Sequence, residues 1–373
     1  MIKVLFLIHD LGQGGAEKVL VNLVNNIDKT KFSVTVVSLF SGGVNEQFLN
    51  EDVGYRSIFK KAIPGNSHFM KLLSPGQLHD ICVKEKYDIE VSYLEGPSAR
   101  IISGCKDNNT KLVSWIHSDQ SSISILAASF RNFGEAKKCY LNFDKHIFVA
   151  EQLRDSFCKL IDVSNESRIL FNTNETEQIK EKANEAIEID INSNFTMIAV
   201  GSLKEIKGYD RLLNIAKRLK NEGRNFKLII LGIGPLEEKM RAFISNENLA
   251  EHVYMLGYNT NPYKYVARAD VFVCSSYSEG FSTSTTEALI VGTPVCTVRV
   301  SGMKEMLGDS EYGLITENSE DDLYRGIVKL MDNRDLLQHY KSMSQIRGKV
   351  FSLDNTVHEV EDFFESLVLG DKK

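Results

Sequence analysis

Two glutamates in the segment ADVFVCSSYSEGFSTSTTEALIVGTPVC, Glu279 and Glu287, stand with seven residues between them. Val271–Cys274 reads as a buried strand, and the small polar residues after it read as a loop carrying Glu279, Gly280 and Phe281. A helix begins near Thr283 and carries Glu287 in its second turn. From a loop and the helix that follows it, both carboxylates can face one crevice. Carboxylates accept paired hydrogen bonds from vicinal diols, which a ribose and a hexose both present. The competing account makes Glu279 a loop cap and Glu287 an exposed helical residue. The small, packed character of Thr285, Thr286, Ala288 and Leu289 weighs against it.

Three glycine-bearing turns could receive phosphate. In TMIAVGSLKEIKGYDRLLNIAKRL, Ser202 follows the strand glycine, and Lys207 and Gly208 stand just before a helix. An ammonium there would point into the same crevice as the helix N-terminus, and both favour a diphosphate. A solvated loop lysine is the alternative. In LIILGIGPLEEKM, Gly232, Gly234 and Pro235 follow a buried strand, where turn chemistry and ligand contact explain the glycines equally. In HDLGQGGAEKVL, Gly12, Gly14 and Gly15 precede an amphipathic helix and would let backbone amides approach an anion. That turn lacks the GxGxxG spacing and the acidic ribose contact of a dehydrogenase fingerprint, so tight packing and ligand contact both remain open. No DxD motif ends a strand, and Asp88–Glu90 begins one, so a catalytic metal is not expected.

Positioning such loops requires strand–helix units. Short β-branched runs alternate with amphipathic stretches, the pattern of an α/β fold with parallel sheets. In the first half the strands read as Ile2–Ile8, Phe32–Leu39, Ile89–Tyr93, Lys111–Trp115 and His146–Val149. In the second they read as Thr196–Val200, Lys227–Leu231, Val253–Met255, Val271–Cys274 and Pro294–Thr297, with a last one near Tyr312–Ile315. The polar, acidic stretch Glu175–Asn194 reads as a solvated helix running into a linker. It separates an N-terminal domain, 1–175, from a C-terminal one, 190–350. In LDNTVHEVEDFFESLVL, residues Leu353, Val357, Val360, Phe364 and Leu367 mark one apolar face of a final helix, about 352–369.

A chain of 373 residues, 43% of them hydrophobic, is long enough for two cores. The six cysteines are scattered without a CxxC pair and read as reduced thiols. The apolar run at the N-terminus is too short for a signal peptide, and no run approaches the length of a membrane span. A cytoplasmic protein is therefore expected. Residues 1–170 hold 20 basic and 19 acidic side chains, and residues 171–373 hold 24 and 31. The acidic second half argues against nucleic acid as partner, because phosphate backbones need a basic stripe.

With GGAEKVL, SWIHSD around His117, ILFN at Asn172, GSLKEIKGYDRL, GIGP, ADVFVCSS, EGFSTSTTEAL and GTPVC in this order, the chain resembles the family-4 retaining glycosyltransferases over almost its whole length. The last three motifs are highly specific. The resemblance implies a GT-B fold: two Rossmann-like domains facing each other across a cleft, with the C-terminal helix returning to the N-terminal domain. It implies that the C-terminal domain binds the donor and the N-terminal domain the acceptor. Gly14 and Gly15 would approach the sugar and diphosphate, Lys207 would neutralise the phosphates, and Glu279 would contact the donor sugar near Gly280 and Phe281. Glu287 would hold the ribose hydroxyls, and His117 would touch the sugar near the anomeric carbon. Ser202 and Gly234 belong to the same donor-binding set.

Two positions depart from the family pattern. Ser202 stands where an arginine is usual, removing one cation expected on the diphosphate unless Lys204 turns inward. Asn172 is followed by Thr173 and Asn174 and not by proline.

The function implied is metal-independent, retaining transfer of a hexose or N-acetylhexosamine from a nucleotide diphosphate sugar. Uridine is the expected base on family frequency, and no cofactor beyond the donor is expected. The acceptor would be a hydroxyl of a glycan, a lipid-linked sugar or a protein, in cell-surface polysaccharide or glycoconjugate synthesis. A nucleotide-sugar epimerase, a sugar phosphorylase and a non-catalytic donor-binding pseudoenzyme are the alternatives. Arg56–Ile63 and His68–Leu73 mix basic and apolar residues. Such segments could touch the inner face of a membrane or form ordinary surface helix.

Overall fold

The computed structural model describes residues 1–12, 14–61, 70–189 and 195–370. The chain divides into two compact units, one running from Met1 to Asn174 and resuming at Leu353, the other Glu175–Ser352. Each is built on its own parallel sheet.

The first unit contains β1 (Ile2–Ile8), β2 (Phe32–Phe40), β3 (Gly54–Phe59), β4 (Ile89–Tyr93), β5 (Lys111–Ile116), β6 (Lys145–Phe148) and β7 (Ser167–Ile169). Their order across the sheet is β3-β2-β1-β4-β5-β6-β7. The second unit contains β8 (Phe195–Val200), β9 (Phe226–Leu231), β10 (Val253–Gly257), β11 (Val271–Cys274), β12 (Val295–Val298) and β13 (Leu314–Thr316), in the order β10-β9-β8-β11-β12-β13. Every pairing is parallel. Both sheets are thus doubly wound. The chain reverses its direction of travel across the sheet between β1 and β4, and again between β8 and β11. Ligands of such sheets sit beyond the carboxyl ends of the strands at that reversal.

Parallel strands are covered on both faces, so they read as continuous apolar runs. Val4 to Ile8 and Met197 to Ile198 are fully buried in this way. The final helix, Leu353–Leu369, covers part of the first sheet. Phe364 packs its ring 6.0 Å from Phe6 and 6.2 Å from Phe32. Glu361 accepts the Asp28 backbone N–H at 2.6 Å, and Lys31 pairs with Glu365 at 2.8 Å. Val357, Val360, Phe363 and Phe364 are buried, while Leu353 and Leu367 are half-buried.

Two readings of the sequence are corrected. The helix after Glu175 is not a solvated connector. Thr176–Ala183 buries Thr176, Ile179 and Ala183 within the second unit, and the carbonyls of Lys182 and Ala183 accept from Asn261 and Arg268. Its charged residues hid a narrow packed face. Glu188 then pairs with Lys264 at 2.7 Å. Residues 190–194 of that stretch lie outside the described residues. Likewise Arg56–Phe59 is not surface helix but part of β3, an edge strand pairing with β2. Its mixed composition fits an edge with one half-exposed side. The remainder of Arg56–Ile63, beyond Lys61, and the first two residues of His68–Leu73 lie outside the described residues. All six cysteines are unpaired, four of them buried. No described helix is long and apolar enough to cross a membrane.

Candidate functional site

At the reversal in the second sheet, β8 leads into Gly201–Lys204, a 3-10 turn at Glu205–Lys207, and the helix Tyr209–Asn221. Between turn and helix, Gly208 adopts φ +63°, the left-handed region. A Cβ at this position would lie 2.0 Å from the Ser275 carbonyl oxygen, so only glycine lets the two loops meet. β11 leads into Ser275–Phe281, and Ser282 caps the helix Thr283–Ile290 by accepting the Thr285 N–H at 3.3 Å.

These two loops are bound backbone to backbone. The Tyr277 N–H donates to the Ile206 carbonyl at 2.8 Å, and the Ser275 hydroxyl donates to the Lys207 carbonyl at 3.0 Å. Arg211, 2% exposed, donates to the carbonyls of Ser275 and Ser276 at 2.6 Å each and to Asn318 Oδ1 at 2.8 Å. Its guanidinium also lies 4.3 Å over the Tyr277 ring. The sequence reading passed over Arg211. Its place one turn into the helix after Lys207 was the available signal.

On this frame Lys207 Nζ meets both Glu279 carboxylate oxygens, at 2.7 and 2.9 Å. Glu279 also accepts a short bond from the Ser276 hydroxyl. Ala199, Tyr209, Cys274 and Ser284 join Lys207, Ser276 and Glu279 around a small cavity. Its partly exposed ammonium beside a nearly buried carboxylate is a charge pair a polyanion could reorganise.

Glu287 is buried, as its packed neighbours imply, and accepts from the Tyr263 hydroxyl at 3.3 Å. It does not line the Lys207–Glu279 cavity. The sequence reading placed both carboxylates on one crevice; in the structure Glu279 meets Lys207 directly and Glu287 meets Tyr263. Gly280 and Phe281 lie against Gly302, where a Cβ would come 2.8 Å from the Gly280 carbonyl. Gly232 and Gly234 have a packing role: Cβ atoms there would meet Gly201 and Leu203 backbone at 1.9 and 2.6 Å. Ser202 and Lys204 are exposed, and the cavity lining includes Lys207 but not Lys204.

In the first unit, Gly14 is the N-cap of the helix Gly15–Asn26, and a Cβ at Gly14 would meet the Glu17 carboxylate at 1.9 Å. His117 follows β5 directly. It is buried against Tyr93 and Trp115, with ring centroids 4.5 and 5.9 Å away. Burial pushes its imidazole down to about 3, so it is neutral at physiological pH. Its Nε2 is buried without a hydrogen-bond partner among the described residues. Glu95 accepts the His117 backbone N–H at 3.0 Å and binds the Ser118 hydroxyl. Burial raises the Glu95 carboxyl, and these donors oppose the shift. Leu94, just before it, sits at φ +81°, backbone strain at the point where this sheet also reverses. Asn172 and Thr173 are buried, and the Thr173 carbonyl accepts from Asn22 at 3.1 Å, tying the segment that lacks the usual proline to the first helix.

Residues 180–347 match the family model of group 1 glycosyl transferases. The chain is 28% identical over 359 residues to the Campylobacter jejuni N-acetylgalactosamine-N,N'-diacetylbacillosaminyl-diphospho-undecaprenol 4-alpha-N-acetylgalactosaminyltransferase, covering 94% of this chain and 96% of that one. It is 21% identical over 370 residues to a Haemophilus influenzae glycosyltransferase, covering 96% and 99%. Among solved structures, Anabaena HepE in complex with UDP superposes with a TM-score of 0.78 at 16% identity, covering 98% of this chain and all of that one. A glycosyltransferase from Rickettsia africae gives the same TM-score and identity over 100% and 99%.

Proposed function

Because residues 180–347 match the group 1 glycosyl transferases and the chain has a GT-B fold, we propose that it is a glycosyltransferase of that group and moves a hexose or N-acetylhexosamine, with retention, from a UDP-sugar to a hydroxyl of a lipid-linked sugar. The observation that carries this reading is the meeting of Lys207 and Glu279, 72 residues apart, on loops after the two strands that flank the reversal of the second sheet. A lysine and a glutamate brought together there suit a ligand that is anionic at one end and rich in hydroxyls at the other.

The Lys207 ammonium is paired with Glu279. An arriving diphosphate competes for the ammonium and frees the carboxylate to accept sugar hydroxyls. Leaving-group stabilisation then falls to Lys207 and the helix N-termini, and no step is assigned to a metal. The bond from the anomeric carbon to phosphate oxygen breaks with oxocarbenium character, and the acceptor oxygen bonds to the same face. The departing phosphate takes the acceptor's proton. Glu287, with Tyr263, remains our assignment for the ribose hydroxyls. Gly14, Gly15 and His117 are assigned donor contacts on the family resemblance; the neutral His117 would serve as a hydrogen-bonding group and not as a charge.

The Campylobacter relative's name specifies an undecaprenyl-diphosphate-linked acceptor and an α linkage. That linkage is what retention from an α-linked nucleotide sugar produces, and we carry both features over, with a role in surface polysaccharide or glycoconjugate assembly at the inner face of a membrane. UDP release from a panel of UDP-hexoses and UDP-N-acetylhexosamines, with and without lipid-linked acceptor, tests the reading. Lys207→Ala should cost about 2–4 kcal/mol of transition-state stabilisation, the range for removing one preorganised electrostatic contact. An unimpaired Lys207→Ala enzyme, or a product of inverted configuration, would sink the assignment. Turnover of nucleotide sugar that needs no acceptor would favour an epimerase or hydrolase instead.

A further inference from the structure

Glu90 lies inside β4 between Ile89 and Val91, both fully buried, and is itself 2% exposed. A carboxylate in a strand covered on both faces is costly unless it is paired or coordinates a metal. Its Oε2 lies 2.7 Å from His79 Nε2, on the last turn of the helix Pro75–Cys82. Its Oε1 accepts from the Cys105 thiol at 3.9 Å, a long bond from a weak donor that offsets little of the cost of burying a carboxylate oxygen. Among the described residues, no other partner of Oε1 is seen. The ligand atoms of His79, Glu90 and Cys105 all lie within 4.8 Å of one another.

The grouping is held by backbone, not by chance proximity of flexible side chains. A Cβ at Gly104 would lie 2.1 Å from the Pro75 carbonyl oxygen, so the turn that carries Cys105 is pressed against the start of the His79 helix. Lys106 and Asp80, one residue beyond each ligand, pair at 2.7 Å. An imidazole, a carboxylate and a thiol form a donor set for a borderline divalent ion. Ligand atoms around tetrahedral zinc stand roughly 3.3–3.7 Å apart by the usual bond lengths. The sulfur–oxygen spacing is already close to that, and the histidine must back away by about half an ångström. His79 is 12% exposed and Cys105 half-buried, which gives an ion a way in.

We propose that His79, Glu90 and Cys105 bind one divalent ion of the zinc class, with water as fourth ligand, pinning the Pro75–Cys82 helix and the Cys105 turn to β4. Glu90 pairs in register with Leu112, near the start of β5, whereas His117 follows that strand's end. The ion would therefore sit away from the carboxyl ends of the strands and outside the transfer chemistry. On binding, Cys105 becomes a thiolate and the His79 Nε2 gives up the proton it donates to Glu90; both protons pass to solvent.

The full chain, stripped with a chelator, is titrated with Co2+ and followed by absorption. One equivalent should bind with a near-ultraviolet thiolate-to-cobalt band, which Zn2+ then bleaches. Cys105→Ser should abolish the band and weaken zinc binding at least about tenfold in competition with a chromogenic chelator. His79→Gln should weaken it similarly, and Cys158→Ser should leave both readings intact. Equal melting of metal-free Cys105→Ser and wild type would show that the variant folds. A wild-type cobalt complex without the thiolate band overturns the proposal whatever the variants do. So does zinc binding by Cys105→Ser as tight as wild type; either result takes the Cys105 thiol out of the donor set.

Discussion

Replacing Arg211 with methionine tests whether the loop that carries Glu279 is built by this one buried cation. The side chain is 2% exposed and donates three hydrogen bonds, at 2.6, 2.6 and 2.8 Å. Bonds from a charged group contribute about 1.5–3 kcal/mol each, and stacking over Tyr277 adds about 0.5–1 kcal/mol. Methionine keeps the apolar stem, and the freed carbonyls regain some water as the loop relaxes. A net loss of about 3–5 kcal/mol is therefore expected. For a unit of this size each kcal/mol shifts the melting point by roughly 2–4 °C. Calorimetry should accordingly show the second unit's transition about 6–20 °C lower, with the first unit's transition unmoved. Arg211→Lys should recover less than half of the loss, because one ammonium cannot reproduce a planar fork of donors. A variant melting within about 2 °C of wild type would refute the idea that Arg211 organises the loop.

Two further outcomes are expected. Gly208→Ala places a Cβ 2.0 Å from the Ser275 carbonyl and forces a left-handed alanine. It should cost at least about 2 kcal/mol and raise the KM for UDP-sugar, as steady-state kinetics and a melting curve would reveal; wild-type values in both would contradict the packing described. His117 is neutral in the folded chain, with burial holding it at about 3 against an ordinary value near 6.5. The unfolded chain binds the extra proton between those values, so stability falls as pH drops from 6.5 toward 3, by at most about 1.4 kcal/mol per pH unit. His117→Gln should reduce this slope by about half in urea titrations of the first unit at pH 7, 6 and 5, because buried His146, held down to about 4, contributes a like amount. By NMR the wild-type imidazole should stay untitrated from pH 8 to 5, and a midpoint near 6.5 would count against it.

Much of this architecture was legible because parallel strands, buried on both faces, must be written as short runs such as VLFLI and KLIIL, while the covering helices need a 3.6-residue stripe. The elements that escaped notice are those for which that pressure is relaxed. β3 and β7 are edge strands, the latter only Ser167–Ile169. The helix at Thr176–Ala183 was read as a helix, but its three buried residues were hidden among charges. Gly232 and Gly234 left packing and ligand contact undecided, because both call for a missing Cβ, and only the 1.9 and 2.6 Å approaches of neighbouring backbone show the packing role.

The sequence by itself determined the two series of strands, the apolar face of the last helix, and the residue types offered at the strand ends, since each follows from local periodicity or from a motif read along the chain; the return of that helix was implied only by the family resemblance. Tertiary structure alone decided who meets whom. It brought Lys207 to Glu279 and turned Glu287 toward Tyr263, although in sequence Glu287 is much the nearer to Glu279. It also set Arg211 against the Ser275 and Ser276 carbonyls, and gathered His79, Glu90 and Cys105 from three separate segments. Spacing along a chain reports only which face of an element a side chain occupies. Convergence across crossovers depends on strand order, and β11 lies beside β8 because of long-range pairing that no local pattern records.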